Sequence, residues 1–150
     1  MPFENIAPLP GLEAYVQIVI DQLPEVDEIW LFGSRAEGLP DCRDWDLIAF
    51  SRDRLTAERA AAQTDLRNDE YCLFIANGAE FRRPWPRRKD NLYEGGRFST
   101  WKWTPVGDGR AEYLASADKP NRSGGWKPAF RIWHRVLSFP HGAPTNPPRR

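Results

Sequence analysis

The stretch that decides the fold is residues 31–50, LFGSRAEGLPDCRDWDLIAF. An apolar run ends in Gly33-Ser34, nine residues follow, and Asp44-Trp45-Asp46 opens a second apolar run. Both runs, EIWLF at 28–32 and WDLIAF at 45–50, have the length of buried strands rather than helices. A strand projects residues i and i+2 to one side, so Asp44 and Asp46 point together while Trp45 points the other way. An ionised carboxylate buried without a partner is costly, and two are worse unless a cation sits between them. Mg²⁺ suits such a pair, because it takes one or two carboxylates and completes its shell with substrate phosphates. Upstream, a strand that ends in Gly-Ser before a short helical turn exposes backbone N–H groups to a phosphate, with the Ser34 hydroxyl as a further donor. Gly33 lets the backbone come close to a ligand. Arg35 adds positive charge there or points to solvent. The combination describes a site for a nucleoside triphosphate with its magnesium. The plainer alternative makes Asp44 and Asp46 solvated loop residues, Ser34 an ordinary helix cap and Gly33 a strand-ending turn.

Around this centre the chain alternates elements. Leu12, Tyr15, Val16, Val19 and Leu23 mark one face of a helix over 11–23, which Pro24 ends. The alanine-rich stretch 54–67 predicts a second helix, capped by Asp53 or Thr56. Residues 70–76, EYCLFIA, read as a third strand, and Asn77-Gly78 as the turn of a hairpin into 79–82. Phe98–Trp103 alternates apolar and polar, and Gly107-Asp108-Gly109 turns it into RAEYLA as a second hairpin. Trp101 and Trp103 share a face of that strand and cover the core. Residues 129–137, AFRIWHRVL, fit strand and helix alike. The reading is one domain over 1–139, with a core at 11–82, an antiparallel extension at 83–139 and a flexible tail at 140–150 rich in proline.

Composition sets the bounds. The chain has 150 residues, enough for one real core. No window has the apolar length of a membrane helix, and no basic segment followed by an apolar one opens the chain, so the expectation is a cytoplasmic protein without a leader or a membrane contact. Two cysteines far apart in sequence fit a reducing compartment, with Cys42 and Cys72 unpaired. Net charge is zero, yet residues 1–70 hold 15 acidic and 6 basic side chains and residues 71–150 hold 6 and 15. Such segregation assigns different tasks to the two halves or reflects chance at the surface. The basic stretch Arg82–Lys89 around Trp85 suits a phosphate backbone or a stacked base; the alternative is a solvated loop with Trp85 in the core. His134 and His141 lack partners at ligand spacing and read as structural or surface residues.

The pattern Gly33-Ser34, nine residues, Asp44-Trp45-Asp46-Leu47 resembles the signature of the DNA polymerase beta-like nucleotidyltransferase superfamily, and within it the small minimal nucleotidyltransferases. The likeness covers roughly residues 11–76. It implies an α/β fold, a mixed β-sheet flanked by helices, here with additional antiparallel hairpins in the C-terminal half. It further implies magnesium-dependent transfer of a nucleoside monophosphate from a triphosphate, ATP in the first instance, to a hydroxyl acceptor that the sequence does not name. By position, Gly33, Ser34 and Arg35 would hold the triphosphate, and Asp44 and Asp46 two Mg²⁺ ions, for which Mn²⁺ can substitute. Those ions would orient the attacking oxygen and stabilise the leaving pyrophosphate. A third carboxylate on the next strand completes such a site. Cys72 stands at that position, and Glu70, two residues earlier on the same face, is the substitute, ahead of Asp69 and Glu80. An inert Cys72 favours the alternative, a catalytically inactive module that binds nucleotide or a partner protein in the manner of an antitoxin. A weaker alternative is nucleic-acid binding through the basic half.

Overall fold

The computed structural model describes residues 10–38, 45–68, 70–86, 95–114 and 125–135. Helix α1 (Pro10–Gln22) leads into strand β1 (Val26–Phe32), a single helical turn α2 (Ser34–Glu37) and strand β2 (Trp45–Ser51). Helix α3 (Thr56–Ala61) and a 3-10 turn at Thr64–Leu66 precede β3 (Tyr71–Asn77) and β4 (Glu80–Arg82). Strands β5 (Gly95–Arg97), β6 (Thr104–Gly107), β7 (Arg110–Tyr113) and β8 (Lys127–His134) follow. All eight strands form one sheet in the order β5-β4-β3-β2-β1-β8-β7-β6, in which only β2 and β3 run parallel.

Alternation along the central strands sorts the sheet into two faces. Ile29 and Leu31, Trp45 and Leu47, and Leu73 and Ile75 turn to one side, where Leu12, Tyr15, Val16 and Val19 of α1 and Ala60 of α3 cover them. Trp30, Phe32, Ile48 and Phe74 turn to the other side. No helix lies there among the described residues; Phe81, Tyr113, Phe98, Trp101 and Trp103 cover it instead. Phe81 alone meets Phe74, Phe98 and Trp101, with ring centroids 4.8–5.7 Å apart.

The expected helix-flanked, polymerase beta-like α/β fold is therefore corrected. The sheet is mixed, but among the described residues strand outweighs helix, 43% against 24%, and the sheet rolls into a half-barrel. Two features produce the difference. β8 returns to pair with β1 on the edge that β2 leaves open, and β7 and β6 extend the sheet beyond it. Register irregularities at Val26/Glu28, Ile29/Trp30 and Pro105/Gly107 add local twist, which bends the sheet around its aromatic side.

Local expectations fare unevenly. α1, the first three strands and the turn at Gly78, whose φ is +69°, match the sequence reading. The second helix is shorter than 54–67, because the chain bends at Gln63 to sink Leu66 into the helix-covered core. Neither Asp53 nor Thr56 caps it: Asp53 accepts the Leu55 N–H at 2.9 Å before the helix begins, and Thr56 is buried with its hydroxyl on Glu25. The undecided segment 129–137 is strand through His134. Residues 98–103 are a turn rather than a strand, with Lys102 at φ +53°. A strand would send Phe98 and Trp101 to opposite faces; the turn gathers both, with Trp103, on the aromatic face.

Candidate functional site

The C-terminal end of β1 and the N-terminal ends of β2 and β3 meet at one end of the sheet. Asp46 is the register partner of Phe32 on one side and of Cys72 on the other, so its half-buried side chain lies on the aromatic face while Trp45 packs on the helix face. The turn out of β1 is made by Gly33 at φ +81°, a left-handed conformation that favours glycine. A Cβ at this position would collide with the Asp46 carboxylate, so the absence of a side chain at 33 is what lets Asp46 lie against the backbone. The Gly33 N–H donates to the Tyr113 hydroxyl at 2.9 Å, which ties the end of β1 to β7 across 80 residues of sequence. The Gly33 carbonyl accepts the N–H groups of Ala36 and Glu37 and closes α2. Glu37 in turn meets Lys127 of β8 at 3.4 Å.

The predicted site residues divide accordingly. Gly33 and Asp46 come into contact. Arg35 sits with its guanidinium 4.3 Å from the centre of the Trp45 ring, a cation–π contact with a residue of the helix face. Cys72 is half-buried beside Asp46, on strands that lie about 4.8 Å apart. Glu70 is exposed in a bend before β3, and its carbonyl accepts the Trp45 N–H at 2.9 Å. Glu80 is carried away: it lies opposite Asn77, at the far end of β3, in an ion pair of 2.8 Å with Arg97. The side chain of Ser34, and Asp44, Asp69, Cys42 and His141, lie outside the described residues, as do Arg87–Lys89 and the tail at 140–150. In the basic stretch Trp85 is buried among the helix-face residues, as the solvated-loop alternative has it.

Burial also shapes the tyrosines behind the site. Tyr15 and Tyr71 stack with centroids 4.2 Å apart, and the Tyr15 hydroxyl donates to the Leu66 carbonyl at 2.6 Å. Burial above all, with the nearby Cys72 adding to it, raises the Tyr15 pKa far above the ordinary phenol value. Tyr71 is raised too, by burial first and then by the charge of Glu70.

Among the described residues no three His, Cys, Asp or Glu side chains gather as a metal site, and Asp46 is the one predicted ligand that falls within them. A single Mg²⁺ carried in on nucleotide phosphates asks for one or two carboxylates.

No protein-family model matches the chain, and no curated protein or solved structure is significantly similar to it. Among the described residues, no helix is long and apolar enough to cross a membrane.

Proposed function

We infer that the chain binds a nucleoside triphosphate, delivered as its magnesium complex, at the end of the sheet where Gly33 and Asp46 meet. The contact between the Asp46 carboxylate and the side-chain-free Gly33 carries this reading. It gives one acidic ligand to a phosphate-bound cation and a backbone that a phosphate can approach closely. Cys72 in register with Asp46 takes the place of a third acid, which favours binding without transfer. Calorimetry with ATP and GTP, each with and without Mg²⁺, tests the reading on the wild type and on Asp46→Asn. Binding that requires the metal and disappears in the variant is expected. A folded wild type that binds neither nucleotide would overturn it.

One observation favours nucleotide transfer as a second reading. The Glu70 carbonyl is hydrogen-bonded to the first residue of β2, so its carboxylate starts from a backbone already beside the Asp46 strand. A thiol that stays protonated does not serve as a magnesium ligand, so Glu70 would have to act as the acid that Cys72 is not. Metal-dependent pyrophosphate release from ATP that Glu70→Gln abolishes is the expected signature of transfer; wild-type protein that binds ATP and releases none removes this reading and leaves the first intact.

A further inference from the structure

Toward the other end of β1, the inside of the half-barrel opens into two adjoining cavities of about 580 and 370 Å³. Glu28, Phe50, Asp108 and Arg131 line both. Trp30 and Trp103 add apolar wall to the smaller one, their centroids 5.5 Å apart. Phe50 and Trp103 are half-buried, so each keeps a surface that a flat ligand can cover. No residue of the Gly33–Asp46 site takes part.

The charges of this groove are unequally engaged. Four arginines, Arg52, Arg110, Arg131 and Arg135, line it against three carboxylates, Asp27, Glu28 and Asp108. Asp27 already receives Arg52 and Arg135, at 3.2 and 3.4 Å. Glu28 accepts the Trp30 indole N–H at 2.7 Å. Arg131 differs. Its side chain is 15% exposed in the groove, and its partner is Asp108 at the tip of the β6–β7 turn, 92% exposed, through one contact of 3.0 Å. An ion pair whose acid stands in solvent contributes little, and an incoming anion can replace it. A guanidinium presents a planar fork of N–H donors that matches a carboxylate or phosphate in two parallel bonds.

We propose that this groove is a binding site for a small planar aromatic anion, its ring against Trp103 and Phe50 and its carboxylate or phosphate on Arg131 in exchange for Asp108. The aromatic surface supplies most of the buried area and the arginine fixes orientation, the division of labour usual in small-molecule pockets of this size.

Calorimetry with 1-naphthoate, its neutral counterpart 1-naphthamide and adenosine monophosphate tests the proposal, together with NMR of the Trp30 and Trp103 indole N–H signals. Expected are Arg131-dependent binding of an anion, weakened about tenfold or more in Arg131→Gln, and little binding of the amide. Asp108→Ala removes the competing acid from an exposed turn, so it is expected to tighten binding, and Asp46→Asn to leave it unchanged. Naphthoate binding alone assigns an aryl carboxylate as the ligand class. Equal or tighter binding of the mononucleotide that persists in Asp46→Asn assigns a nucleotide phosphate. Binding indifferent to Arg131→Gln in a folded variant, naphthamide bound as well as naphthoate, or no binding by the wild type at millimolar concentration would each overturn the proposal. If Arg131→Gln does not fold, unchanged binding in Asp108→Ala does the same.

Discussion

The two faces of the sheet are closed in different ways. On one, aliphatic residues of β1, β2 and β3 lie under α1 and α3, elements adjacent to them in sequence. On the other, rings from β1, β2 and β3 meet rings from the 98–103 turn and from β7, brought from the second half of the chain. The first face is largely a local construction, to which Trp85 and Ile132 are added from later in the chain. The second is a long-range one, with Asp46 toward one end of it and the Arg131 groove opening at the other. Both candidate sites lie on the face whose closure depends on distant contacts.

The largest expected effect breaks that distant closure. Phe81→Ala removes a fully buried ring that edges against three others and is expected to cost about 3–5 kcal/mol. Leu73→Ala on the helix face is expected at about 2–5 kcal/mol. The two differ more clearly in where the loss is felt. In denaturant unfolding followed by hydrogen exchange, Phe81→Ala should loosen β7 and the Trp101 and Trp103 indoles before α1. Leu73→Ala should loosen α1 and α3 first. If the two variants lose protection in the same places, the faces are one cooperative unit and the contrast fails.

Gly33→Ala comes next and acts at the junction of β1 with the aromatic face. The left-handed backbone alone costs an alanine about 1–2 kcal/mol, and the collision with Asp46 adds to it. The addition is separable. In the background of Asp46→Ala, the cost of Gly33→Ala should fall back toward the backbone part, a coupling that a double-mutant cycle reads directly. Additive losses would mean that Asp46 does not press against Gly33 in solution.

The same contrast explains what the sequence makes legible. Periodicity reports neighbours a few residues apart, so α1, the first three strands and the Gly78 turn are readable. It does not report that Lys127–His134 pairs with β1 a hundred residues earlier, and that pairing turns an expected helix-flanked sheet into a half-barrel. Alternation at 98–103 looks like a strand because aromatic and polar residues take turns. What decides the conformation is the demand that Phe98, Trp101 and Trp103 reach one face together, and only the tertiary structure states that demand. At the candidate site, the contact of Gly33 with Asp46 follows from two strands and the turn between them. The place of Arg35 does not, since the Trp45 ring competes for it on the opposite face. Arg131 gave a fainter signal, a cation in a segment that fits strand and helix alike, and the turn residue Asp108 that faces it is far off in sequence.

The smallest effect sharpens the helix face through its titration. The Tyr15 hydroxyl is buried and donates to the Leu66 carbonyl, so the neutral phenol is the form the fold prefers. A pKa raised on folding contributes stability that is complete below the unfolded phenol value of about 10 and is lost as pH rises beyond it, because the unfolded chain then releases a proton the folded one keeps. Tyr71, shifted in the same direction and stacked on Tyr15, adds to the loss. Tyr15→Phe should therefore cost about 1 kcal/mol at neutral pH, the worth of one hydrogen bond. Between about pH 10 and 12 the variant should lose less stability than the wild type, so that the two unfolding curves converge or cross. Urea melts at fixed pH steps, followed by tryptophan fluorescence, measure this. Parallel pH profiles for the two proteins would place the alkaline sensitivity elsewhere in the molecule.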